Sequence, residues 1–83
     1  MTVTEVPVTT YQIYGQAKEA LRHYSQGRYI DAFDAACCGC FIAYYAMLRI
    51  PDGVAIYHRI SDIRAECRWK LRELLRKGGH LCP

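Results

Sequence analysis

Eighty-three residues, 52% of them hydrophobic and 23% charged, suffice for one globular domain; they are too few for two cores and too apolar for a disordered chain. Six glycines and three prolines exclude collagen-like and linker-like chains. The net charge of +3 is uneven: Lys18, Arg22, Arg28 and Arg49 are outnumbered by acids before residue 53, whereas Arg59, Arg64, Arg68, Lys70, Arg72, Arg76 and Lys77 face only Asp62, Glu66 and Glu73 after it.

The first ten residues lack the basic region and apolar stretch of a secretory signal. Cys37, Cys38 and Cys40 crowd together in a spacing that suits no disulfide framework. The expectation is a cytoplasmic protein with reduced thiols. The longest apolar run, Ala35 to Leu48, is 14 residues. A bilayer span needs about 20, so this run reads as a core helix.

Residues 1–10 are rich in Thr and Val and contain Pro7, which predicts an extended arm. A first helix is expected from Tyr11 to Gln26, with Thr9 as its N-cap and Gln12 completing a capping box. Ile13, Tyr14, Ala17, Ala20, Leu21 and Tyr24 fall on one side at helical spacing. Gln12, Lys18, Glu19, Arg22 and His23 form the solvated side. Gly27 suits a left-handed stop.

A second helix is expected from Tyr29 to Arg49. Tyr29, Phe33, Cys40, Tyr44 and Met47 share one face, with Ala35 and Ile42 opposite. Its only charges, Asp31, Asp34 and Arg49, lie at the ends. A helix apolar on every side wants cover on every side. Ala32, Ala36, Gly39, Ala43 and Ala46 form a stripe that would let another backbone approach closely. Two neighbouring helices and an arm are short cover for such a helix, so the arm, a second copy in a homodimer or a partner must complete it, and Cys38, Ile42 and Tyr45 are the candidate patch for self-association or a partner.

Pro51-Asp52-Gly53 marks a turn, followed by a third helix from Val54 to Lys77. Its core seam is Tyr57, Ile60, Ile63, Cys67, Leu71 and Leu74. Glu66–Lys70 and Glu73–Lys77 are i,i+4 pairs suited to a solvated helix. Residues 78–83 form a tail. The predicted fold is all-α: a three-helix bundle, built as a helical hairpin plus a long third helix, with an extended N-terminal arm over 1–10 and one domain over 11–77.

Gly27-Arg28-Tyr29-Ile30-Asp31-Ala32 resembles the turn of a tetratricopeptide repeat, in which Gly-x-Tyr-x-x-Ala joins two packed helices. The resemblance implies a tight helical hairpin. There is no second repeat, and a peptide-binding function is not carried over.

Cys37, Cys40 and Cys67 could converge, but a zinc site needs four ligands, and a fourth could come only from Cys38, His80 or Cys82. Cysteines in an alanine-rich core act as small hydrophobes. Neither a metal nor any other cofactor is expected. The chain has no phosphate-cradling glycine loop and no supported Ser-His-Asp or Cys-His grouping, so no catalytic residues are assigned and no enzymatic activity is expected.

The third helix carries the informative pattern. Trp69 points away from the Ile60/Cys67/Leu71 seam, and His58, Asp62, Ala65, Arg72 and Arg76 share its face at spacings of 4 and 3. Trp and Arg are enriched at binding hot spots. The expectation is a docking stripe of His58, Asp62, Trp69, Arg72 and Arg76; the alternative is that Trp69 packs under the arm or the tail. Nucleic-acid binding along the basic helix is a second reading, weakened by the interrupting acids.

A small stand-alone helical domain of this kind is similar to the inhibitors encoded by phages and mobile elements, anti-CRISPR proteins among them. Leu81-Cys82-Pro83 and the Arg/Glu/Leu-rich helix before it carry the likeness to the C-terminal part of one helical anti-CRISPR. The resemblance implies binding to a subunit of a CRISPR effector complex without enzymatic activity, and it assigns no individual residue. The function expected is therefore that of an interaction module that binds and inhibits or modulates a partner protein.

Overall fold

The computed structural model describes residues 5–78 and contains three helices: α1 (Glu5–Ser25), α2 (Tyr29–Ala46) and α3 (Gly53–Arg76). The all-α bundle of a hairpin plus a long third helix is the fold expected. Among the described residues there is no strand, and no helix is long and apolar enough to cross a membrane.

The start of the chain differs from expectation. Residues 5–10 belong to α1 rather than to an extended arm, and Thr9 lies inside the helix instead of capping it. Pro7 is compatible with this because it falls in the first turn, where backbone N–H groups have no intrahelical acceptor. The β-branched residues around it cost only a few tenths of a kcal/mol each, roughly. That end of α1 also has a neighbour: Thr10, Tyr11 and Tyr14 line a groove with Pro51, Asp52, Ala55, Ile56 and Arg59. Residues 1–4 and 79–83, which include the rest of the arm and nearly all of the tail, lie outside the described residues.

Gly27 ends α1 at φ 78°, donating its N–H to the Tyr24 carbonyl at 3.1 Å, while Arg28 N–H reaches the His23 carbonyl at 2.9 Å. These bonds satisfy carbonyls the helix leaves free and turn the chain straight into α2. Tyr24 and Tyr29 meet edge to face across the turn, ring centres 5.1 Å apart.

Alanine and glycine decide how α2 packs. Ala32, Ala36, Gly39, Ala43 and Ala46 are all buried, and Cys40 joins them. Small side chains let both neighbours come close: Ile13 and Ala20 from α1, and Ile56, Ile60 and Cys67 from α3, are buried around this stripe. α2 is the centre of the molecule, with α1 and α3 packed along it and touching each other little. The expectation that α2 is buried all round is corrected. Its small face is covered, while Phe41, Tyr44 and Tyr45 are open to solvent. Tyr44 therefore leaves the core face it was assigned, as do Tyr14 and Leu21 of α1.

α2 stops at Ala46, before the expected Arg49. Arg49 and Ile50 N–H groups both bond the Ala46 carbonyl, and the Arg49 guanidinium donates to the Tyr45 carbonyl at 2.8 Å. Ile50 then turns inward and is buried. Asp52 takes a left-handed conformation at φ 55°, and Gly53 starts α3 against the Met47 carbonyl, where a Cβ would not fit.

Glu73 and Lys77 form the expected pair at 2.9 Å. Glu66 and Lys70 instead reach across the molecule. Glu66 accepts a long hydrogen bond from the Tyr24 hydroxyl at 3.4 Å, and the Lys70 ammonium sits 5.5 Å from the Tyr29 ring centre. These two contacts tie α3 to the hairpin near its turn.

Candidate binding surfaces

The seam of α3 turns Ile56, Ile60 and Cys67 into the core, so the opposite side is forced outward. His58, Asp62, Ala65, Trp69, Arg72 and Arg76 are all exposed, as the expected stripe requires. Trp69 is 57% open to solvent. The stripe does not act as one unit. Trp69 and Arg72 line a shallow groove of about 300 Å³ together with Ser61, Arg64, Ala65 and Arg68. His58 leans on Tyr57, ring centres 5.9 Å apart, and His58, Asp62 and Arg76 do not line this groove. Arg64 and Arg68 lie outside the expected stripe, yet they line this groove with Trp69. Their i,i+4 spacing from each other and from Arg72 was the available signal.

The groove is strongly cationic. Arg64, Arg68 and Arg72 carry three positive charges around one indole, and none of them enters an ion pair among the described residues. A guanidinium beside an indole can take a carboxylate or a phosphate in a fork while the ring supplies apolar contact.

A second open surface lies on α2. Phe41 and Tyr45 rings are 4.9 Å apart, Tyr45 and Tyr44 are 5.4 Å apart, and Tyr44 reaches Tyr57 of α3 at 5.9 Å. This aromatic chain borders a groove of about 300 Å³ that Cys37, Cys40 and Arg64 also line. Arg64 thus lies between the aromatic surface and the Trp69 groove. Of the residues expected for self-association, Cys38 and Tyr45 are exposed, whereas Ile42 is half-buried and packs against the core. Phe41 stands on the outer face instead.

Three of the thiols are structural in character. Burial pushes Cys37, Cys40 and Cys67 above the usual thiol range, the nearby Arg64 only partly opposing this at Cys37 and Cys40. They are neutral at physiological pH, and a neutral thiol is a poor nucleophile. Among the described residues, no group of three or more His, Cys, Asp and Glu side chains is placed to hold a metal ion. His80 and Cys82 lie outside them. His23, expected on the solvated side, is half-buried: its Nε2 is 3.5 Å from Glu19, and its Nδ1 is shut away without a hydrogen-bond partner.

No protein-family model, curated protein or solved structure matches this chain.

Proposed function

We propose that this protein is a non-enzymatic interaction module that docks the outer face of α3 onto a partner protein and thereby inhibits or adjusts it. One observation carries the reading: an open tryptophan beside three arginines that enter no ion pair among the described residues. Trp and Arg are the side chains that most often dominate interface energetics. The groove is shallow and lined by a single helix, a shape that suits a protein surface better than an enclosed small molecule. Its charge favours an acidic patch on the partner. Trp69 and Arg72 anchor the contact, Arg64 and Arg68 flank it, and His58, Asp62 and Arg76 form the rim. The likeness of the C-terminal part to helical anti-CRISPR proteins suggests a subunit of a CRISPR effector complex as the first partner to try.

The test is affinity capture with the wild-type chain and with Trp69→Ala, each with and without nuclease. A stoichiometric protein that survives nuclease and is lost from Trp69→Ala supports the reading. Capture that does not depend on Trp69 overturns it. The same arginine-framed indole could stack a nucleobase over a phosphate backbone. Material that disappears with nuclease, with binding that falls steeply as salt rises, would favour that second reading.

A further inference from the structure

We propose that the outer face of α2 pairs with the same face of a second copy, antiparallel across a two-fold axis, to make a homodimer. This surface adjoins the Trp69 groove at Arg64, but the pairing does not depend on that groove's function.

Asp34, Cys38, Phe41, Tyr45 and Leu48 follow one another at spacings of 4, 3, 4 and 3, and all are exposed. The first four make a seam of α2 along which one helix packs on another, and Leu48 follows in the turn just past its end. The centre is apolar and wide open: Phe41 is 65% exposed, Tyr44 56%, Tyr45 61% and Leu48 86%. Taking about 200 Å² for a whole aromatic side chain, these four leave on the order of 500 Å² uncovered. A patch of that size is already near the upper end for a monomer's surface, ~300–600 Å². With Asp34, Cys38 and Arg49 at its margins it approaches the ~800 Å² that each partner gives to a stable interface.

Charge selects the occupant. No charged side chain lies between Asp34 and Arg49, so α2 brings no ion of its own to the apolar centre, and Arg64 of α3 stands at its edge. The ends differ in sign, acid at Asp34 and base at Arg49. A parallel pair would set acid on acid and base on base, whereas an antiparallel pair sets Asp34 of each copy near Arg49 of the other. With the axis midway between Phe41 and Tyr45, Asp34 stands about 13 Å along the helix on one side, and Arg49 lies in the turn just past the end of α2 on the other. Neither residue has an ion-pair partner among the described residues, and Arg49 reaches only the Tyr45 carbonyl. The arrangement is self-complementary, as a two-fold interface must be.

Sedimentation equilibrium of the full chain across a concentration series tests this. The wild type is expected to be a dimer. Tyr45→Glu should weaken it at least ~100-fold by placing a charge at the apolar centre, with helicity unchanged because Tyr45 is exposed. At low salt, Asp34→Arg and Arg49→Asp should each loosen the dimer about tenfold, and the double reversal should restore it. A wild type that stays monomeric at ~100 μM overturns the proposal, that concentration being far above the Kd of a specific interface. So does a dimer unaffected by Tyr45→Glu. A dimer that the double reversal fails to restore overturns the antiparallel pairing.

Discussion

The terminal methyl of Ile60 occupies the space that a side chain on Gly39 would need. Gln16 of α1 closes the same position from the other side, its Cβ 3.1 Å from where a Cβ on Gly39 would stand. Gly39 is therefore a point at which α1 and α3 both close on α2, and a Cβ there would require Ile60 to move.

Gly39→Ala tests this contact. Alanine should gain about 1 kcal/mol over glycine inside a helix. Overpacking the core costs roughly 1–3 kcal/mol, so the net change should be a loss of about 1 kcal/mol in chemical denaturation. In the Ile60→Val background, which removes the offending methyl, the same Gly39→Ala change should become neutral or stabilising. An equal loss in both backgrounds would mean that Ile60 does not fill the site. Gly39→Leu has no comparable rescue and should abolish a cooperative melt.

Gly53 faces an obstacle that cannot rotate away. A Cβ there would run into the Met47 carbonyl, backbone against backbone. Gly53→Ala should cost more than Gly39→Ala, about 3 kcal/mol, because the turn and the first residue of α3 must both move. A drop in melting temperature smaller than that of Gly39→Ala would show that the turn is softer than its geometry implies.

Trp69→Ala should leave stability within about 0.5 kcal/mol of the wild type, because exposed side chains away from special contacts contribute little. Its fluorescence should be that of a hydrated indole. A blue-shifted emission together with a melt lowered by several degrees would place Trp69 in a covered position and remove it from the docking surface.

Stability should fall at both ends of the pH scale, for opposite reasons. Hydrogen bonds from Arg22 and Lys77 hold the Glu19 and Glu73 carboxyls below the usual range. Their contribution is present above the ordinary carboxylate pKa and is lost as the pH falls through their lowered values. Both pairs are exposed, so the effect is small and should fade with added salt. Burial raises Tyr24, Cys37, Cys40 and Cys67, so their neutral forms favour the fold. That contribution is complete below the unfolded thiol and phenol values and is lost as the pH climbs through the folded ones. Thermal melts should therefore weaken steeply above about pH 9. The decline should be smaller for Cys67→Ala once its own stability is taken as the reference. An alkaline limb identical in that variant would assign it to other groups.

Local signals in the sequence were sufficient for the helices themselves. Gly27 and Gly78 stop α1 and α3 with the positive φ that glycine adopts freely. The alanine–glycine stripe marked where backbones would approach, and the seam of α3 marked its inner side. The beginning of α1 was not legible, because Pro7 and the threonines disfavour helix in isolation. The difference lies at a first turn that tolerates proline, on the end of α1 where Thr10, Tyr11 and Tyr14 share a groove with the α2–α3 turn.

The surface sites divide the same way. Trp69 was placed outward by its angle from Ile60 and Cys67, a relation fixed by helical geometry alone. Phe41 and Tyr44 could not be placed, since α2 is apolar on every side and periodicity cannot choose a face where all faces look alike. The choice depends on volume. Two helices can close on Ala36, Gly39 and Ala43, and having done so they leave Phe41, Tyr44 and Tyr45 exposed among the described residues. The sequence by itself determined three helices, the stop of α1 at Gly27 and the outward tryptophan, because these follow from backbone preference and a 3.6-residue period. Only the tertiary structure decided which side of α2 is covered, where Glu66 and Lys70 reach, and which arginines gather around Trp69. Those outcomes depend on how closely separate helices can approach, and no single segment carries that information.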